Sequence, residues 1–327
     1  MDVRFPGLGL EFTIQSTAFT LFGRPVQWYG VLIATGFLLA AVYAYRRARR
    51  DYAINVDRLT DVVLMATVAA IIGARLYYVL FDTTGQFLKD PISVLYIWEG
   101  GLAFYGALIG ALVVGIPACK WRKINLWGSL DLAAIGFLIG QSIGRWGNFF
   151  NQEAFGNNTI LPWGMISKNT TNYLASHQES LMAAGVTVNP EIPVHPCFLY
   201  ESLWLALGFV LLHFFSKKRK YDGQVFFLYL IWNGLGRIWI EALRTDSLYL
   251  LGMKVSQLVA LVWIAAGVLM LVLWRNRRNP ETETVPVAAG SSEEEKNTDT
   301  VTDEAATSAT LEEEKATDET ARLNESE

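Results

Sequence analysis

Gly144-Arg145-Trp146-Gly147-Asn148-Phe149-Phe150-Asn151-Gln152-Glu153 closes an apolar run that begins near Leu130. An arginine, two asparagines and a glutamate thus arrive together where a hydrophobic helix meets a membrane surface. Charged and amide groups at that depth are costly unless something uses them, so the stretch is a functional-site candidate by its position alone. The rest of the chain reads as a way of holding it at one level in a bilayer.

Composition supports that frame. Of 327 residues, 52% are hydrophobic and only 18% charged, with 11 Trp and 18 Phe. This balance belongs to polytopic membrane proteins and excludes an ordinary soluble domain. The net charge of −4 hides a division: residues 281–327 hold 15 acidic and 3 basic side chains, a net of −12, which leaves +8 on residues 1–280. Residues 280–327 form a Glu/Thr/Ala-rich tail without aromatics, expected to be disordered and cytoplasmic. A basic n-region with a short apolar core and cleavage site is lacking at the N-terminus, so no removable signal peptide is expected.

Seven apolar stretches are each long enough to cross a bilayer, which takes about 20 residues. They run over 28–46, 59–81, 102–119, 129–150, 197–215, 223–242 and 254–274. Basic clusters follow every odd-numbered stretch: Arg46 to Arg50, Lys120 to Lys123, Lys217 to Lys220, and Arg275 to Arg278. No even-numbered stretch ends in one. The positive-inside rule then sets the N-terminus outside and the C-terminus in the cytoplasm. The expected fold is an all-α bundle of seven transmembrane helices over 1–279, with a small extracytoplasmic head made by the loop 151–196. Gly136, Gly140 and Gly144 share one helix face, as do Gly106 and Gly110, and small residues there let another helix approach closely.

Three even-numbered stretches carry an arginine in their outer third: Arg75, Arg145 and Arg237. Each centred arginine costs about 2.5–3.5 kcal/mol on insertion scales, so three at one depth suggest a shared reason. A guanidinium offers a fork of donors matched to phosphate oxygens and keeps its charge, which points to a pocket for an anionic phospholipid. The structural alternative is snorkelling, or pairing with Glu241 or Glu153. Asn148 lies over Arg145 at i+3, and its amide and that of Asn151 suit a glycerol hydroxyl or a helix cap. His195 to Glu201 opens the fifth stretch, with Pro196 suited to a first helical turn.

Several motifs carry no chemistry. Gly140-Gln141-Ser142-Ile143-Gly144 matches the hydrolase nucleophile elbow, but the elbow needs a strand–turn–helix setting and this pentapeptide lies inside a membrane helix. Cys119 and Cys197 fall near opposite membrane faces, too far apart for a disulfide. The three histidines are too scattered for a metal site. The sequons at Asn157 and Asn169 read as chance.

Taken together, Trp28-Tyr29-Gly30, Ala74-Arg75 through Phe81, Trp98-Glu99-Gly100-Gly101 through Tyr105-Gly106, Gly144 to Gly156, His195 to Glu201, and Gly234-Leu235-Gly236-Arg237 through Arg244 resemble the bacterial prolipoprotein diacylglyceryl transferases. The match spans 28–244 in family order and leaves out the acidic tail. The resemblance implies a multi-pass enzyme of the bacterial plasma membrane. It would move the diacylglyceryl group of phosphatidylglycerol to the lipobox cysteine of a prolipoprotein signal peptide, forming a thioether and releasing glycerol phosphate. It implies no cofactor, no metal and no nucleic-acid partner, and a monomer is expected. Family roles map onto Arg145 and Arg237 as phosphatidylglycerol-binding and catalytic residues, and onto Tyr29, Asn148, Glu153, Glu241 and Arg244 as pocket residues. Arg75 and Asn151 join them as headgroup candidates from the reading above.

One position departs from the family. Tyr105 stands where some members carry histidine, and a phenol with a pKa near ~10 is a poor base at neutral pH. The proton acceptor is left open between Glu153, Tyr105 and water. A thiol of pKa near ~8.5 is already a few per cent thiolate at neutral pH, so no strong base is required. The competing class is a transporter of anions or anionic lipid. Transporters of that kind often show paired repeats and midplane helix breaks, whereas here the polar residues gather on one side and repeats are lacking.

Overall fold

The computed structural model describes residues 2–277 except 84, 184, 246–248 and 251–252. The acidic tail and Arg278 lie outside the described residues.

All seven apolar stretches are helices, and the order of elements explains how they are held. Strands β1 (Asp2–Phe5), β2 (Leu10–Thr13), β3 (Thr17–Leu21) and β4 (Arg24–Gln27) lead into α1 (Trp28–Asp51) and α2 (Val56–Leu80). A short helix α3 (Gln86–Lys89) and two 3-10 turns precede α4 (Phe104–Trp121) and α5 (Leu126–Asn151). The head holds β5 (Ile166–Ser167) and α6 (Lys168–Ala183), and is followed by α7 (Cys197–Ser216) and α8 (Gln224–Leu243). A hairpin of β6 (Tyr249–Leu250) and β7 (Met253–Lys254) turns the chain into α9 (Val255–Leu273).

Six of these helices, α1, α2, α4, α5, α7 and α9, are long and apolar enough to cross a membrane. Helix α8 is also 20 residues long. It carries Asn233, Arg237 and Glu241 and is not among the six.

The small-residue faces behave as their spacing predicts. Helix α1 crosses α5 at Gly36 and Gly140, where a Cβ on Gly36 would stand 3.0 Å from the Gly140 Cα. Helix α2 meets α4 with Gly73 against Gly106 and Gly110. In a membrane such close backbone approach maximises van der Waals contact, which drives helix association when lipid is as apolar as leucine. Helices α5 and α7 are further joined through Ser142 and Ser202, whose hydroxyls each donate to the other's carbonyl at 2.9 Å. The hydroxyl of Ser142 is thus spent on helix packing.

The lead-in and the head are one structure. β1 pairs antiparallel with both β2 and β5. Val3, Phe5 and Ile14 share a buried core with Phe155, Met165, Leu174, Val194 and Phe198. Residues near the N-terminus therefore supply a wall of the head. The strands lie outside the long helices, which form the body of the fold.

Candidate active site

Helix α5 starts with Asn125, whose side chain accepts from the Trp127 and Gly128 N–H groups, and ends at Gln152 in a left-handed conformation. That termination turns the chain so that Glu153 leaves the helix while its own N–H still bonds the Asn148 carbonyl at 2.9 Å. The result is a polar ladder along the last two turns. Arg145 Nη1 reaches Asn148 Oδ1 at 3.5 Å, and Asn148 Nδ2 donates to Glu153 Oε1 at 2.9 Å. Asn151 Nδ2 donates to the same oxygen at 3.1 Å.

Facing this ladder, α7 presents Glu201 and α8 presents Arg237 and Glu241. Arg145 Nε forms an ion pair with Glu201 Oε2. Arg237 Nη1 lies 3.2 Å from Glu201 Oε1 and 3.5 Å from Glu241 Oε2, one turn along its own helix. One buried carboxylate thus sits between two guanidinium groups. Its side chain is 7% exposed, against 24% for Arg145 and 33% for Arg237. The carboxylate is enclosed and the arginines keep an open side, an arrangement that leaves donors available to an incoming anion.

Arg244 and Tyr29 complete the neighbourhood. Both are within electrostatic reach of Arg145. Tyr29 packs directly on Gly147, where an added Cβ would stand 3.2 Å from the Tyr29 Cα. Arg244 caps α8, and its carbonyl accepts from Lys254 Nζ at 2.6 Å. Lys254 Nζ also bonds the Glu241 carbonyl at 2.6 Å, which ties the end of α8 to the start of α9.

Two expected site residues are not brought to this cluster by any hydrogen bond or ion pair among the described residues. Arg75 is buried and spends its guanidinium on backbone carbonyls. Nε donates to Val94 at 2.8 Å, Nη2 to Ser93 at 2.6 Å, and Nη1 to Gly100 and Gly101 at 2.8 and 3.1 Å. It clamps the connection between α2 and α4 that carries the Gly100-Gly101 motif. Tyr105 lies in the first turn of α4, half exposed, with its ring against Phe104.

Glu201 is the member that residue-by-residue reading missed. It was legible only as an acid near a helix N-terminus, at the end of the His195–Glu201 motif. His195 itself is structural in setting. Its Nδ1 lies 3.1 Å from Tyr200 Oη, its backbone exchanges bonds with Gly156 and Asn157, and burial lowers its pKa. Cys197 is buried against Gly156. Among the described residues no group of His, Cys, Asp and Glu could hold a metal ion.

Comparison with known proteins identifies the family. The family model for prolipoprotein diacylglyceryl transferase matches residues 16–273. The chain is 40% identical over 255 residues to the phosphatidylglycerol–prolipoprotein diacylglyceryl transferase of Clostridium novyi, covering 78% of this chain and 94% of that protein. It is 40% identical over 260 residues to the enzyme of the same name from Pediococcus pentosaceus, covering 79% and 89%. The Nostoc relative is 38% identical over 274 residues, covering 82% and 92%. The chain belongs to the prolipoprotein diacylglyceryl transferase family.

Proposed function

We propose that this protein transfers the diacylglyceryl group of phosphatidylglycerol to the cysteine thiol of a prolipoprotein, in the bacterial plasma membrane. The observation that carries the reading is the pair Arg145 and Arg237, held on either side of Glu201 with their outer faces open. The cysteine sulfur attacks the terminal glyceryl carbon of the diacylglyceryl group. A C–S bond forms, the C–O bond to phosphate breaks, and its electron pair leaves on glycerol phosphate. The thiol proton passes to water or to Glu153, which is exposed and takes two amide hydrogen bonds on one oxygen.

The arginines act on the leaving phosphate. Fixed donors aimed at developing charge in a water-poor pocket are often the largest catalytic contribution, worth about 2.7–4 kcal/mol for one donor. Glu201 orients both guanidinium groups before substrate arrives, so that reorganisation does not accompany the reaction. Asn148 and Asn151 face the glycerol hydroxyls, and Glu241 and Arg244 close the far side. Arg75 serves as a positioning residue for the Gly100-Gly101 loop.

All seven long helices span the membrane in this reading, with the N-terminus outside. Two contacts support it by gathering the basic clusters at the end of the bundle away from Arg145. Arg219 lies over the Tyr52 ring at 3.7 Å, and Asn125 is hydrogen-bonded to Asp222. Helix α8 belongs among the spans because Arg237, near its end, meets Arg145 near the end of α5.

The test is a transfer assay in detergent with phosphatidylglycerol labelled in its diacylglyceryl part and a lipobox peptide. Label on the peptide cysteine with wild type, and its loss with Arg145→Ala, is the expected result. Absence of label with folded wild-type protein overturns the proposal.

A further inference from the structure

The opposite end of α7 and α8 holds a feature that the transfer reaction does not use. A cavity of about 360 Å³ opens between α7, α8 and α9, lined by the exposed Lys220 and Arg275 together with Gln224 and the buried Tyr221. Phe215 and Leu228 also line it, and the same two residues line an adjoining space of about 390 Å³. That second space runs along the α7–α8 seam between Leu211, Leu212, Ile231 and Leu235 and has no charged lining residue. A cationic opening thus adjoins an apolar groove.

Two tryptophans brace the seam along this groove. Trp204 and Trp232 stack at 4.2 Å, and each indole N–H donates to the other's backbone carbonyl, at 3.0 and 3.1 Å. Trp232 lines the space, and Leu235 is its lining residue nearest Arg237 in sequence; none of Arg145, Glu201, Arg237 and Glu241 lines it. From Gln224 to Leu235 the helix rises about 16 Å at 1.5 Å per residue. One leaflet of a bilayer core near 30 Å thick is about 15 Å deep. The groove therefore matches one acyl chain in one leaflet.

The charges at the opening are also suited to a headgroup. Lys220 and Arg275 are exposed, and neither forms an ion pair with any described residue. Asp222, two residues from Lys220, is paired with Arg219 at 3.1 Å. We infer that this groove binds an anionic phospholipid from the leaflet opposite the arginine site, its phosphate between Lys220 and Arg275 and one acyl chain along the α7–α8 seam. This lipid is a resident of the fold and not a substrate. Basic residues at a membrane surface attract anionic lipid in general, by about 1 kcal/mol each; the continuous groove gives this attraction a fixed place.

The experiment counts lipids on the full-length protein. Arg145→Ala protein, whose substrate site is disabled, is equilibrated in nanodiscs of mixed phosphatidylcholine and phosphatidylglycerol, released into mild detergent and measured by native mass spectrometry. One retained phosphatidylglycerol per protein, in preference to phosphatidylcholine, is expected. Adding Lys220→Glu with Arg275→Glu removes it, and Ile231→Trp, which fills the groove without touching charge, removes it as well. An unchanged count in both of these variants overturns the inference, as does equal retention of the two lipids by the Arg145→Ala protein.

Discussion

Two arginine regions in this protein use the same side chain for opposite ends. At the α2–α4 connection, Arg75 is buried and meets four backbone carbonyls, Ser93, Val94, Gly100 and Gly101. At the meeting of α5, α7 and α8, Arg145 and Arg237 share one buried carboxylate and keep a quarter to a third of their side chains exposed. The first guanidinium gives four of its five N–H donors to the chain itself and holds a loop. The other two are oriented but keep an open side, and that difference separates a structural arginine from an anion site. The identity of the acceptors distinguishes them.

The comparison breaks most visibly at Arg145. Arg145→Gln, which keeps a polar side chain but removes the charge, is expected to lower transfer about 10²–10³-fold while the protein stays folded. A labelled-lipid assay beside a detergent melting curve checks it; wild-type rates would end the leaving-group role. Glu201→Gln comes next. Loss of the shared carboxylate lets both guanidinium groups drift, and misplacement by about 1 Å can cost 10²-fold. Its kcat for transfer is expected to fall far more than its KM for phosphatidylglycerol rises, because the arginine charges remain.

Arg75→Ala sharpens the contrast from the other side. It orphans buried carbonyls, each costing about 1–3 kcal/mol, so a lowered melting temperature and faster proteolysis within residues 82–103 are expected. Loss of activity in proportion to loss of folded protein fits a positioning residue. Full stability with weakened phosphatidylglycerol binding would return Arg75 to the headgroup pocket.

The smallest effect concerns the head. Burial lowers the pKa of His195 below its unfolded value. The unfolded chain then binds more protons, so stability rises with pH through this range. The contribution is present above an unfolded pKa near ~6.5 and is lost as pH falls through the folded value. Thermal unfolding between about pH 7 and pH 5 should show a decline that His195→Gln reduces.

Much of this was readable along the chain. Length and hydrophobicity mark each long helix because a bilayer demands about 20 apolar residues per crossing. Glycines at four-residue spacing mark the α1–α5 and α2–α4 faces because helix geometry puts them on one side. The ladder from Arg145 to Glu153 is local, within two turns, so its members could be named together. Glu201 could not be assigned its partners in this way. It lies 56 residues after Arg145 and 36 before Arg237, and nothing along the chain measures which helix neighbours which.

The same limit explains the head and the groove. Residues 2–5 look unremarkable until β1 is seen between β2 and β5. Lys220 and Arg275 look like two members of two basic clusters until α7, α8 and α9 bring them to one cavity. What the sequence by itself determined is the set of helices, the placement of charge along them, and the family, since these depend on periodicity, hydropathy and local motifs. Which arginines are held by carbonyls and which remain open was decided only by tertiary structure. Hydrogen bonds and ion pairs are short-ranged, and only packing decides which carbonyls and carboxylates come within reach.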